Sequence, residues 1–277
     1  MKWNSGLHKY FSILINLILV ILATVNLIPF ILMFVMSTQD NHAIFSGLTF
    51  IPGRNLAKNF QSILAVHYFR SLFNSIIVAV CSMMLTVFFS AMAGFAFAKY
   101  RFRFKKLAFN TILATMLVPM EIGLVAFVLE MRILHLSQTF LPLILPNIAN
   151  AFGVFLMNAF MQEAVPFEIM ESGRIDGCND FGVFLRLVFP IIRPAAFTLA
   201  LISFLNSWNA YLLPMVMINN PRMFTIPLVI AALGNQFVAD YGARILGIAV
   251  GVLPILLIFV FFSKYITEGL TAGAVKG

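Results

Sequence analysis

The chain has 277 residues, of which only 10% are charged and 61% are hydrophobic. A soluble domain of this length carries about 25% charge, so composition excludes an ordinary soluble protein and indicates an integral membrane protein. The net charge of +8 does not mark a nucleic-acid binder: the basic residues flank apolar runs, no basic face accompanies a recognition fold, and membrane lipid is the expected surrounding.

The apolar runs are too long and continuous for the alternation of a β-barrel. Unsatisfied backbone groups are too costly in lipid for other irregular structure, so the expected fold is all-α. Residues 1–10 form a short polar N-terminus. The run Phe11–Met36 is too long for a signal-peptide core and no small-residue cleavage site follows it, so it reads as an uncleaved first transmembrane helix, bent near its far end by Pro29. Residues 37–70 are mixed, with a Pro52-Gly53 turn. A second span is expected over 72–98. Its small residues, Ala91, Ala93, Gly94, Ala96 and Ala98, suit close helix packing.

Five basic residues in eight follow, at Lys99, Arg101, Arg103, Lys105 and Lys106. This is a positive-inside signal, with binding of acidic lipid as an alternative. The third span is expected over 107–131, interrupted by Pro119 with Glu121 two residues on. The fourth is expected over 139–161, with Pro142 and Pro146 in its first turns. A polar island covers 162–186. The fifth span is expected over 187–218, tilted or broken at Pro190, Pro194 and Pro214. The sixth covers 245–265, and residues 266–277 form a tail. With about six spans and the N-terminus inside, six basic residues fall outside (Arg54, Lys58, Arg70, Arg132, Arg222 and Arg244). That leaves twelve of the 18 inside, which places both termini, the island and the tail in the cytoplasm.

No phosphate-cradling loop, nucleophile elbow or zinc-protease histidine pair is present. The four histidines are scattered, and the two cysteines, Cys81 and Cys178, have no metal-ligand spacing. Neither an enzyme nor a metal site is expected. Three features remain. In the island, Pro166-Phe167-Glu168 reads as a helix start and Gly177 as its left-handed stop, with a second amphipathic stretch after it. Physics alone leaves this either a working surface or an interfacial loop. Glu121 is an acid within an apolar run. It reads as a group lining a solute path, as one member of an interhelical ion pair, or as a sign that the span ends earlier. Asn206 and Asn209 share a helix face with Trp208 between them, and serve either the path or interhelical packing.

The island carries a resemblance. Glu171-Ser172-Gly173, three residues, then Gly177, and after nine residues Leu187-Val188-Phe189-Pro190, looks like the EAA loop of ABC importer permeases. Ser172 and Gly173 stand where the family has alanines. Ser207-Trp208-Asn209-Ala210-Tyr211-Leu212-Leu213-Pro214 is similar to a segment of the carbohydrate branch, and Gly269–Gly277 looks like the tail of MalG-type subunits.

The resemblance implies the type I ABC importer permease architecture, in a multi-pass protein of a prokaryotic cytoplasmic membrane. It implies one half of the pathway of an ATP-driven importer of sugars or related solutes. The implied partners are a MalF-like second permease, an ATP-binding subunit dimer carrying ATP and Mg, an extracytoplasmic solute-binding protein and the sugar itself. No cofactor is expected on this chain. By the same resemblance Glu171, Ser172, Gly173, Asp176 and Gly177 would couple to the ATPase, with Ser172 and Gly173 small enough for close docking. Thr271, Gly273 and Lys276 of the tail would contact the ATPase, and Glu121, Asn206, Trp208, Asn209 and Tyr211 would line the path. An ion-coupled secondary transporter using Glu121 is the alternative.

Overall fold

The computed structural model describes residues 5–234 and 239–272. The described residues are helical, with no strand beyond a single antiparallel bridge between Gly234 and Ala239. In chain order the helices are α1 (Ser5–Met36), α2 (Asn41–Ser46), α3 (Leu56–Ala65), α4 (Tyr68–Lys99), α5 (Lys105–Thr115), α6 (Leu124–Ile133), α7 (Leu141–Ile148) and α8 (Ala151–Ala164). They continue with α9 (Phe167–Ile175), α10 (Asp180–Val183), α11 (Phe189–Ile191), α12 (Arg193–Trp208), α13 (Leu212–Met217), α14 (Ile226–Ala231) and α15 (Tyr241–Ala272). Short 3-10 turns cover Met120–Gly123 and Pro221–Met223, and Phe184–Val188 forms a π-type turn.

Among the described residues, four stretches are long and apolar enough to cross a membrane: Tyr10–Met36, Tyr68–Lys99, Leu141–Ala164 and Tyr241–Val260. A bent pair, Asp180–Ile191 with Arg193–Trp208, is a further candidate and turns through 84°. Proline explains much of the difference from the expected spans. In place of one helix over 107–131, α5 and α6 are separated by a turn in which Pro119 is extended (ψ 131°). Proline cannot donate the hydrogen bond that would continue the helix. Each piece is about 15 Å long at 1.5 Å per residue, too short to cross alone. The expected fifth span over 187–218 is likewise three helices, α11, α12 and α13, with Pro194 in the first turn of α12. Pro29 and Pro254, by contrast, lie inside α1 and α15, which continue through them. The last helix starts earlier than expected because Asp240 caps it, its carboxylate accepting from the Ala243 N–H at 3.0 Å.

The chain forms two compact units. One comprises Met1–Tyr68 with Ile230–Val252. In it the buried Asn59 amide donates to the Ser37 and Gln39 carbonyls (2.8 and 2.9 Å). The Arg244 guanidinium donates to the Leu233 and Ala231 carbonyls (3.0 and 2.8 Å). Irregular backbone is thus satisfied by side chains. Helix α1 buries none of its Tyr10–Met36 window against the rest of the chain. Two of its polar side chains are satisfied within the helix, Thr24 donating to the Val20 carbonyl and Asn26 to that of Leu22.

The other unit comprises Phe69–Val229 with Leu253–Gly277. One core cluster joins α4, α8, α9 and the segment Val183–Leu199 through Phe95, Met157, Met161, Met170, Phe184 and Ile192. A second joins α4, α6, α7 and α13 through Val78, Met131, Leu143, Ile144 and Met217. Small residues let these helices approach. A Cβ on Gly94 of α4 would lie 2.6 Å from Met157 Cβ and 2.9 Å from the Asn158 nitrogen. A Cβ on Gly153 of α8 would meet the Ser90 hydroxyl and, at 3.0 Å, Leu199. The small residues of α4 therefore set its crossing with α8.

Candidate functional site: a braced surface helix and a polar cavity

The polar island folds as the sequence suggests. Pro166 is extended (ψ 151°) and starts α9, with Glu168 in the first turn and Arg174 in the last, each matching the helix dipole. The stop is a Schellman motif. Gly177 is left-handed (φ +80°), its N–H donates to the Arg174 carbonyl at 3.1 Å, and the Cys178 N–H donates to the Gly173 carbonyl at 2.9 Å. Asn179 then caps the next helix, accepting from the Gly182 N–H at 2.8 Å. The π-type turn follows, with the Phe189 N–H donating to the Phe184 carbonyl, immediately ahead of Pro190, which has no N–H of its own to offer.

Besides Met170 in the core cluster, three contacts among the described residues hold α9 in place. A Cβ on Gly173 would lie 2.5 Å from Leu187 Cδ1 and 3.1 Å from Val183 Cγ2. The Arg174 guanidinium pairs with Asp180 at 3.0 Å and lies 5.9 Å from the Tyr100 ring centroid. Burial raises the Tyr100 phenol above its ordinary pKa. The Lys99 ammonium, at the end of α4, sits 4.7 Å from the Phe167 ring centroid. One expectation is revised here. Gly173 is buried and faces inward, so its small size serves the packing of α9 on Val183 and Leu187. The outer surface is formed by Glu171, Ser172, Ile175, Asp176 and Gly177, all exposed, with Ile175 86% exposed.

A second feature lies in the same unit. A cavity of about 580 Å³ is lined by residues of α4, the Met120–Gly123 turn, α6, α7, the α7–α8 junction, α12 and α13. Its polar lining is Glu121, Asn147, Asn150, Asn206, Ser207 and Thr225; Phe127, Leu124, Leu143 and Leu213 are among its apolar walls. Glu121 lies in the helix break after Pro119 rather than inside a helix. It forms no ion pair among the described residues. Asn150 sits at the α7–α8 junction. Its carbonyl oxygen caps α8 from the Gly153 N–H at 2.6 Å, and among the described residues its side-chain NH₂ has no acceptor. Thr225 is 4% exposed and its hydroxyl has no partner among the described residues.

Of the residues expected on the path, Glu121 and Asn206 come together in this cavity. Trp208 does not: it is 3% exposed and stacks on Phe204 with centroids 5.4 Å apart, a packing residue of α12. Asn209 and Tyr211 are exposed but lie outside the lining. Asn147, Asn150, Ser207 and Thr225 were missed. Asn150 carried a readable signal, since an amide just past a proline-bearing helix suits a cap for the next one; Asn147 and Thr225 carried none. In the tail, Thr271 falls in the last turn of α15, while Gly273 and Lys276 lie outside the described residues.

Comparison with known proteins adds an independent line. Residues 86–271 match the family model described as "Binding-protein-dependent transport system inner membrane component". The chain is 35% identical over 210 residues to the arabinooligosaccharides transport system permease protein AraQ of Bacillus subtilis (strain 168), covering 76% of this chain and 74% of that protein. It is 28% identical over 261 residues to the lactose transport system permease protein LacG of Rhizobium radiobacter, covering 94% of each. Its fold matches a chain in the crystal structure of a bacterial ABC transporter involved in the import of the acidic polysaccharide alginate. That match has a TM-score of 0.77 and 24% identity, over 96% of this chain and 100% of the other. The ion-gradient alternative finds no support among these matches. A match that takes in the braced island and most of both apolar clusters leaves one assignment: this chain belongs to the family of multi-pass inner-membrane components of binding-protein-dependent transport systems.

Proposed function

We propose that the chain is one permease subunit of an ATP-driven importer of oligosaccharides or related solutes, and that α9 is its contact with the ATPase. The names of its relatives support the substrate class, since AraQ and LacG are permeases for arabino-oligosaccharides and lactose. The observation that carries the coupling role is the bracing of α9. A helix that transmits force must be rigid toward its own core and presented outward. Here Gly173 closes the inner face, Arg174–Asp180 ties the helix to the next segment, and Ile175 projects beside Glu171 and Asp176. An exposed apolar residue ringed by charge suits a docking anchor.

The remaining partners are a second, MalF-like permease, a pair of ATP-binding subunits holding ATP and Mg, and an extracytoplasmic solute-binding protein. The island and both termini face the cytoplasm, and the tail with Thr271, Gly273 and Lys276 reaches the ATPase. The cavity at Glu121 and Asn206 is this chain's share of the solute path. The test is to co-express the chain with the products of neighbouring genes and measure uptake and ATP hydrolysis in proteoliposomes. Ile175→Asp is expected to abolish both solute-stimulated hydrolysis and uptake while the helical content of the chain is unchanged. Normal uptake in the absence of ATP hydrolysis would refute the proposal.

A further inference from the structure

We infer that the cavity is a charge filter: it accepts neutral polyhydroxylated solutes and repels anionic ones, with Glu121 as the discriminating group. This deepens the reading of the cavity as part of a solute path and rests on it. Three observations carry it. First, among the described residues the lining holds one charged side chain, Glu121, and no lysine or arginine. With no ion pair to it among the described residues, its carboxylate sets the sign of the field in a cleft with low-dielectric walls. Second, the other polar groups are neutral, and two of them, Thr225 and Asn150, hold unused hydrogen-bonding capacity. The Thr225 hydroxyl is buried without a partner, and Asn150 spends its oxygen on capping α8, leaving its NH₂ for a ligand. A buried hydroxyl left unpaired is costly unless a ligand or water meets it. Third, the cavity volume of about 580 Å³ lies within the range of small-molecule sites, and Phe127 and the leucines offer apolar faces for sugar C–H groups.

Amides and hydroxyls facing hydroxyls, with an acceptor-only carboxylate and no cation, suit a ligand rich in O–H donors. A uronate, sulfonate or phosphate would bring a second negative charge to Glu121 with no base to pair it.

Thiol chemistry tests the filter without knowing the natural solute. In the full chain in membrane vesicles, with Cys81→Ser and Cys178→Ser as background, Asn206→Cys and, separately, Ala210→Cys place a thiol in the lining. Each is reacted with methanethiosulfonates bearing a trimethylammonium or a sulfonate group. The cation-to-anion rate ratio, normalised to a free thiol, is expected to be about tenfold above unity, and Glu121→Gln is expected to return it to unity. In a second arm, raffinose and trigalacturonate compete with the uncharged methyl reagent. Raffinose is expected to slow labelling more than the uronate does, and Glu121→Gln to remove the difference.

A ratio unmoved by Glu121→Gln, equal or greater protection by the uronate, or protection by neither sugar overturns the inference. These failures are distinct from failure of the importer assignment. Vesicles that take up no solute yet show the rate bias keep the filter and lose the importer, whereas an ATP-driven importer without the bias does the reverse.

Discussion

Gly94 and Gly173 are both buried glycines whose Cβ would collide with a neighbour, yet the structure predicts opposite outcomes for alanine. At Gly94 the new carbon would lie 2.6 Å from Met157 Cβ and 2.9 Å from the Asn158 nitrogen. Carbon contacts settle near 3.5–4.0 Å, so α4 and α8 must separate by about 1 Å. The obstacles are the root of a side chain and a helix backbone, which cannot rotate away. Overpacking of this kind costs about 1–3 kcal/mol. The helix preference of alanine over glycine returns up to about 1 kcal/mol, for a net loss of about 1–2 kcal/mol.

At Gly173 the nearest atom is Leu187 Cδ1 at 2.5 Å, while Leu187 Cγ is already at an ordinary 3.9 Å. A rotation of one side-chain end clears the space and Val183 gives by a few tenths of an ångström. The cost and the helix gain then cancel to within about 0.5 kcal/mol. Thermal unfolding of the purified chain in detergent reads this directly. Gly94→Ala is expected to lower the midpoint by about 2–6 °C and Gly173→Ala to leave it nearly unchanged. A Gly94→Ala midpoint equal to that of the natural chain, or a larger drop for Gly173→Ala, would show that the helix crossing is not set by these contacts.

Two further predictions concern the ends of helices. At Gly177 there is open space around a Cβ but φ is +80°, so the penalty is conformational rather than steric. Gly177→Val is expected to cost about 1–2 kcal/mol and Gly177→Asn less, since asparagine tolerates the left-handed region; detergent melts rank the two. Asn150 caps α8 through its side-chain oxygen, so Asn150→Ala is expected to destabilise by about 1 kcal/mol while Asn150→Ser retains most of the stability. Equal melts for the alanine and serine variants would remove the capping role.

The island was legible because its signals are local. A proline start, a glycine stop and an asparagine cap each act within a few residues, and the Gly177 turn forms as its chemistry requires. The long apolar segments were legible only as material for spans. Hydropathy adds along 107–131 and 187–218, whereas Pro119 and the Ile192 corner divide those stretches into helices too short to cross unaided. Which way Gly173 and Trp208 face was beyond reach. A small residue suits an outer docking face and an inner packing face equally, and the neighbours that decide between them, Leu187 and Phe204, matter through geometry that spacing does not reveal. The cavity drew polar residues from five separate segments, and only Glu121 and Asn206 were conspicuous enough in one dimension to be singled out.

The breaks in the spans have a consequence for how such a path is probed. Every interruption near the cavity, at Pro119, at the α7–α8 junction and beyond Trp208, creates additional helix ends, and each end carries main-chain donors or acceptors without a partner in the helix. An alanine scan removes side chains and leaves these groups untouched. A solute held partly by peptide groups therefore yields small effects at each scanned position even where recognition is strong. Replacing individual amides by esters, which deletes the N–H donor and weakens the carbonyl, is the perturbation that reaches this share of the binding surface. It also suggests why related chains can carry different saccharides on one scaffold: the peptide groups at the breaks form a generic hydroxyl-binding lining, and side chains need only adjust it.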